Sequence, residues 1–190
     1  RDVRNAFAVP DGLWAPNVTA DARRPEGQPG SAPAAFFAAM MDPGLTWDDV
    51  AWLRSITTLP ILVKGIVRAD DAERAVEAGA SGIVVSNHGG RQLDTAPATI
   101  DVLGSITQAV GNRIDVLFDG GIRRGTDVVK AFALGARAVQ IGRPVLWGLA
   151  TDGQEGVAHV FNILQQELDV AMALCGCRSL DEITPDLVSP

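Results

Sequence analysis

The chain has 190 residues, of which 47% are hydrophobic and 21% are charged, as in a soluble globular domain. Its formal net charge of −7 argues against nucleic acid and an anionic membrane surface as partners, because both select for basic patches. No apolar run reaches the roughly 18 residues of a membrane-spanning helix, and residues 1–20 lack the apolar core of a secretory segment. Cys175 and Cys177 are too few for a disulfide framework or a zinc site, so we expect reduced thiols in a cytoplasmic protein.

The segment 8–45 is rich in proline and alanine and has no sustained hydrophobic period. A segment of this length without secondary structure is either disordered or functional, and we predict a mobile lid. The stretch TWDDVAWLRSI that follows it is typical of a short helix. Thr46 is its expected N-cap, with Asp49 in the position of a capping box.

Four short apolar runs follow, separated by stretches with helical periodicity. They are rich in valine and isoleucine and do not alternate with polar residues, which is typical of parallel strands buried on both faces. The predicted strands are PILVKGI (60–66), GIVVS (82–86), IDVLF (114–118) and AVQIG (138–142). Gly79 and Gly135 stand where the preceding helices need a left-handed cap, within a weak internal repeat of residues 77–86 and 133–142. Apolar residues from Val157 to Met172 predict a long final helix.

This order gives four βα units in residues 46–190. Four parallel strands form either half of a (β/α)8 barrel or part of an open doubly wound sheet. Half a barrel leaves two strand edges unpaired, so a lone monomer of this kind is expected to be only marginally stable.

Each predicted strand ends in polar residues or glycines, at the end where parallel α/β folds bind their ligands. Lys64 interrupts the first run, either as a snorkelling or ion-paired side chain or as a fixed charge that stabilises a developing anion. His88 and Arg91 share one glycine-containing loop after the second run. An imidazole beside a guanidinium fork suits a base next to a bound carboxylate.

The loop DGGIRRGTD (119–127) and the later GRP (142–144) suggest a phosphate site. Glycines let backbone N–H groups converge, a helix N-terminus follows, and Arg123 and Arg143 add positive charge. A phosphate site after the last two strands is a recurrent feature of (β/α)8 barrels.

The motif SNHGGRQLD (86–94), with LPILVKGI before it and DGGIRRGTDVVKAFALGA and GRPV after it, closely resembles the FMN-dependent 2-hydroxy-acid oxidases and dehydrogenases. The resemblance covers essentially all of residues 1–190. It implies a (β/α)8 TIM barrel with FMN at its carboxyl end, of which this chain carries the last four βα units, a long lid loop and the C-terminal helix.

The resemblance also implies a role for each candidate residue in the oxidation of an (S)-2-hydroxy acid to a 2-oxo acid. His88 would take a proton from the substrate, Arg91 would hold the substrate carboxylate, and Lys64 would stabilise the reduced flavin. Ser86 would contact the flavin or its ribityl chain. Contacts to the ribityl chain and phosphate would come from Asp119, Gly121, Arg123, Gly142 and Arg143.

By the same resemblance, the N-terminal half-barrel would supply a second arginine, active-site tyrosines and an aspartate that orients His88. We therefore expect the isolated chain to be a poor catalyst, with the N-terminal half-barrel as a partner and a homotetramer as the assembly. Two alternatives stay open: a non-catalytic half-barrel that binds FMN or phosphate, and another FMN barrel such as an isomerase of diphosphates. The sequence leaves the particular acid and the electron acceptor open.

Overall fold

A computed structural model describes residues 42–188, and most of the predicted lid lies outside this range. The elements in chain order are α1 (Trp47–Ile56), β1 (Leu62–Ile66), α2 (Ala69–Glu77), β2 (Gly82–Val85), α3 (Thr99–Val110), β3 (Asp115–Asp119), α4 (Gly125–Ala133), β4 (Ala138–Gln140) and α5 (Arg143–Cys175). The four predicted strands are all confirmed, within two residues at either end.

The strands form one sheet in the order β1-β2-β3-β4, and every neighbouring pair is parallel. Lys64 is level with Val84, and Val84 is level with Leu117. A helix connects each strand to the next, as in the four βα units predicted from the sequence. All four strands therefore end at the same edge of the sheet.

The core lies between the sheet and helices α2, α3 and α4. Every residue of β2 is buried, and Ile83, Phe118 and Leu103 are almost completely so. The expectation of burial on both faces is met by β2 but not by β1, β3 or β4, which keep exposed or half-buried residues; β1 and β4 are the edge strands of the described sheet. Leu59 and Leu62, before and at the start of β1, are 70% and 45% exposed.

The internal repeat corresponds to a repeated helix ending. Gly79 and Gly135 adopt left-handed backbones with φ of 86° and 94°, as predicted. The next residue after each glycine closes a Schellman motif, with Ala80 N–H donating to Ala75 C=O and Ala136 N–H donating to the Ala131 carbonyl, both at 3.0 Å. This motif ends α2 and α4 and directs the chain into the strand that follows each helix.

Helix α1 begins as predicted, with the Asp49 carboxylate accepting hydrogen bonds from the backbone N–H and the hydroxyl of Thr46. The final helix starts earlier than predicted, at Arg143, and its path is broken at Asp152 and Gly153. Beyond this break, a Cβ on Gly156 would lie 2.0 Å from the carbonyl oxygen of Gly148, so these two segments pack backbone against backbone. No helix within residues 42–188 is both long and apolar enough to cross a bilayer.

The contact between α4 and α5 gives a stability prediction. A Cβ on Gly125 would lie 2.1 Å from the backbone nitrogen of Leu168, which cannot move without moving α5. We expect Gly125→Ala to lower the free energy of unfolding by about 3 kcal/mol, measured by chemical denaturation. Gly104→Ala is the matched control, because its Cβ would meet only Leu134 Cδ2 at 3.6 Å. Because Gly104 lies inside a helix, Gly104→Ala is expected to raise the free energy of unfolding by up to about 1 kcal/mol. An equal loss of unfolding free energy in both variants would contradict the packing argument.

Candidate active site at the carboxyl edge of the sheet

A cavity of about 250 Å³ opens at the edge where the strands end. Among its lining residues are all the sequence-predicted site residues except Ser86: Lys64, His88, Arg91, Asp119, Gly121, Arg123, Gly142 and Arg143. The sequence analysis did not select the other six: Gly89, Gly120, Ile122, Gln140, Ile141 and Leu146. Five of these six directly adjoin predicted residues or stand at a strand end, which is the signal that could have found them. Leu146 lies three residues after Arg143, within α5, and has no such signal.

Ser86 lies beneath this cavity, 1% exposed, and connects three predicted site residues. Its Oγ accepts hydrogen bonds from Lys64 Nζ at 2.6 Å and from the His88 backbone N–H at 3.1 Å, and donates to Asp119 Oδ1 at 2.7 Å. A hydroxyl offers one donor and two acceptor positions. All three hydrogen-bonding positions of the Ser86 hydroxyl have partners within the chain, so Ser86 holds Lys64, Asp119 and the backbone of His88 in place. Its contact with a flavin stays a prediction.

Lys64 is ion-paired and is not buried in the core. Its Nζ lies 2.8 Å from Asp119 Oδ2, and the two side chains are 44% and 16% exposed. Lys64 thus reaches from β1 past the end of β2 to β3. The ammonium therefore has a carboxylate partner and also lines the cavity, and its role as a charge that stabilises a developing anion stays a prediction.

The loop that carries His88 and Arg91 has an unusual backbone. His88, Gly89 and Gly90 have φ of 56°, 67° and 73°, and a non-glycine residue in this region costs of order 1 kcal/mol or more. Asn87 fixes the loop at two points: its Oδ1 accepts from Gly90 N–H, and its Nδ2 donates to the Pro97 carbonyl, both at 3.0 Å. Sequence reasoning missed this role, although an asparagine before two glycines is a recognisable turn signal.

The backbone N–H groups at the N-terminus of α4 already have side-chain acceptors, so the phosphate site suggested for this loop stays a prediction. The backbone N–H groups of Arg123 and Arg124 both donate to Asp127 Oδ2 at 2.9 Å, and Gly125 N–H donates to Glu167 Oε2 at 2.9 Å. Two carboxylates therefore already neutralise this helix end. The N-terminus of α5 differs, because its N-cap is Gly142 and no side chain caps it.

Arg123 and Arg143 both line the cavity, and each guanidinium group has a contact within the chain. Arg123 stacks on the Trp147 ring with its guanidinium carbon 4.9 Å from the ring centre. Arg143 Nη2 donates to the carbonyl of Gly89 at 3.2 Å and so links α5 to the His88 loop. A Cβ on Gly89 would lie 3.0 Å from this nitrogen, so a larger residue would push the Arg143 guanidinium away by a few tenths of an ångström and would also have to adopt φ of 67°.

The cavity has the opposite charge to the chain. Its lining contains the cations Lys64, Arg91, Arg123 and Arg143 and one carboxylate, that of Asp119, whereas the whole chain has a net charge of −7. A group of cations in a cleft attracts anions. The donor set suits a ligand that carries a phosphate and a second ligand that carries a carboxylate, which fits FMN together with a small acid.

Comparison with known proteins agrees with this chemistry. The model of the family described as FMN-dependent dehydrogenase matches residues 1–190, so the chain belongs to that family, whose cofactor is FMN. It is 56% identical over 185 residues to an L-lactate oxidase of a Nostoc species and 52% identical over 191 residues to 2-hydroxyacid oxidase 1 of Mus musculus. These alignments cover 96% and 98% of this chain, and 51% and 52% of the relatives. The chain thus spans about half the length of the curated relatives it matches.

Solved structures give the same result for the fold. A mandelate oxidase crystallised with (S)-4-hydroxymandelic acid superposes with a TM-score of 0.84 at 47% identity, over 97% of this chain and 52% of the other. The predicted TIM-barrel family is therefore confirmed, and the described four-stranded parallel sheet corresponds to part of the barrel.

Asn87 gives a prediction that needs no ligand. We expect Asn87→Ala to remove both side-chain anchors of the loop and to leave the Gly90 N–H only its 3.1 Å hydrogen bond to the backbone carbonyl of residue 87. The amide of Gly90 should then exchange its hydrogen about two- to fivefold faster, as for a loss of about 0.5–1 kcal/mol. Asn87→Asp is the matched control, since it keeps an acceptor for Gly90 N–H and loses only the donor to Pro97. Hydrogen exchange followed by mass spectrometry distinguishes the two. Equal protection of Gly90 in wild type and Asn87→Ala would show that the anchor is unimportant.

Proposed function

We propose that this chain supplies the C-terminal half of the active site of an FMN-dependent oxidase or dehydrogenase, which converts an (S)-2-hydroxy acid to a 2-oxo acid. The observation that carries the proposal is the cationic cavity in which His88, Arg91 and Lys64 meet at the ends of parallel strands. The names of the relatives, which are oxidases of lactate, 2-hydroxy acids and mandelate, support the substrate class.

The residues that line the cavity fit three parts of FMN: the phosphate, the ribityl chain and the reduced ring. Arg123 and Arg143 would hold the phosphate near the uncapped N-terminus of α5, and Asp119 and Gly121 would face the ribityl chain. Lys64 would stabilise the reduced ring by its charge. When bound, FMN supplies the acceptor for two electrons.

His88 and Arg91 would act on the substrate itself. The guanidinium of Arg91 matches a carboxylate in bidentate geometry and would orient the acid in the cavity. An imidazole nitrogen of His88 would take one proton from the substrate alcohol as two electrons leave it. Conversion of the alcohol to the oxo group removes two protons and two electrons, one proton from the hydroxyl and one from the carbon that carries it. His88 would take one of these protons, and the two electrons and the other proton would pass to bound FMN.

Within residues 42–188 the His88 imidazole has no hydrogen-bond partner, whereas its backbone N–H is held by Ser86. A base of this kind usually needs a group that orients its ring. We propose that an N-terminal half-barrel supplies this group, and that the isolated chain is therefore a poor catalyst. A homotetramer and a cytoplasmic location stay predictions from the resemblance and from the sequence.

The direct test is an anaerobic absorption spectrum of the complete protein, recorded before and after addition of glycolate, lactate and mandelate in turn. We expect a flavin band that at least one of these acids bleaches. A bound flavin that no 2-hydroxy acid reduces would favour the alternative, a non-catalytic half-barrel that binds FMN. Absence of any bound flavin would contradict both.

The role of His88 can be separated from general damage. We expect His88→Gln to slow reduction of the flavin by the best acid about 10²- to 10⁴-fold, because the general base is lost, and to leave FMN affinity unchanged. The measurement is stopped-flow absorbance under anaerobic conditions. His159→Gln is the matched control, because the only other histidine of the chain is exposed on α5 and away from the cavity lining. An undiminished rate in His88→Gln would remove this residue from the mechanism.

The proposed phosphate site gives a second prediction. We expect Arg123→Met to weaken binding of FMN about ten- to 100-fold and binding of riboflavin hardly at all, because only FMN carries the phosphate. Both dissociation constants can be measured by flavin fluorescence on the flavin-free complete protein. Arg124→Met removes the same charge one residue later, outside the cavity lining, and is expected to leave both constants unchanged. A parallel loss of both ligands in Arg123→Met would indicate a structural role only.

A further inference from the structure

Lys64 does not present an isolated charge to the cavity. Its Nζ donates to Ser86 Oγ at 2.6 Å and lies 2.8 Å from Asp119 Oδ2. An ammonium group has three N–H donors, so two have acceptors among the described residues and one is left for a ligand. The cation that faces the cavity is therefore half of an ion pair.

Asp119 is also fixed from two other directions. Its second oxygen, Oδ1, accepts from Ser86 Oγ at 2.7 Å, and its backbone carbonyl accepts from Thr99 Oγ1 at 2.7 Å. Thr99 and Ser86 are both buried. The carboxylate thus has a fixed place beside Lys64, and at 16% exposure water screens it only in part.

We propose that Asp119 acts on the reaction through Lys64, by lowering the positive potential that Lys64 creates at the flavin and so setting how readily the flavin is reduced. The proposal rests on the proposed function, since it needs FMN in this cavity. Reduced flavin carries negative charge, so a stronger positive potential favours reduction. Asp119 would thus balance the charge of Lys64 and fix its position, and Ser86 hydrogen-bonds to both partners of the ion pair.

The test is the two-electron midpoint potential of FMN bound to the complete protein, measured by reductive titration with a reference dye. We expect Asp119→Asn to favour reduction about tenfold, a rise of about 30 mV for a two-electron couple, because Lys64 loses its counter-charge. Asp115→Asn is the matched control: it makes the same change on the same strand, at the exposed opposite end, four residues or about 13 Å away. That variant is expected to keep the wild-type potential.

Lys64→Met separates this proposal from the proposed function. If Lys64 faces the flavin, its loss lowers the potential. An unchanged potential in Lys64→Met would contradict the proposed function at this point. A lowered potential in Lys64→Met together with an unchanged one in Asp119→Asn would overturn only the inference about Asp119.

The variant Asp119→Asn risks losing FMN altogether, because it leaves a cation without its partner. The double variant Lys64→Met/Asp119→Asn then decides, since it removes both charges. Recovery of FMN binding in the double variant would support the proposal, because the defect of the single variant would then lie in Lys64. Continued failure to bind would overturn it, because the defect would then lie in the contact of Asp119 with the ribityl chain and not in its effect on Lys64.

Discussion

The site depends on the group of hydrogen bonds that Ser86 makes beneath the cavity. Three strands meet there, because the hydroxyl contacts Lys64 from β1, Asp119 from β3 and the backbone of His88 directly after β2. The parallel register makes this meeting possible, since it sets Lys64 level with Val84 and Val84 level with Leu117. Ser86 and Asp119 then stand two residues further along, within reach of the long lysine side chain.

The charge distribution follows from the same arrangement. Strand ends bring four cations into a small volume, although the chain as a whole is acidic. Acidic side chains beneath and behind the cavity hold this loop region in place: Asp127 and Glu167 bind the backbone N–H groups next to Arg123, and Asp119 pairs with Lys64. Two of these carboxylates thus fix the backbone beside the cavity and the third balances the charge of Lys64, while the arginines line the cavity.

The sequence predicted the features that depend on neighbouring residues and missed contacts between residues far apart in the chain. The strands, the left-handed Gly79 and the cavity residues His88 and Arg91 follow from short apolar runs and the polar residues after them. The capping of α4 by Glu167 could not be predicted, because this residue lies 42 residues after Gly125, whereas Asp127 stands within the DGGIRRGTD motif itself. An ion pair was one of the readings of Lys64, but its partner Asp119 could not be identified, since pairing across three strands depends on register and leaves no periodic pattern in the sequence.

Under the proposed function, association with an N-terminal half-barrel would complete the barrel and the active site at the same time. Leu59 and Leu62 on the β1 side and Leu146 on the β4 side are largely exposed, and another half-barrel would remove such apolar surface from water. The same half-barrel would face His88 across the cavity, where the imidazole has no partner within residues 42–188. Burial of the two edges would therefore supply the free energy for association, and the geometry of association would supply the orientation of the base.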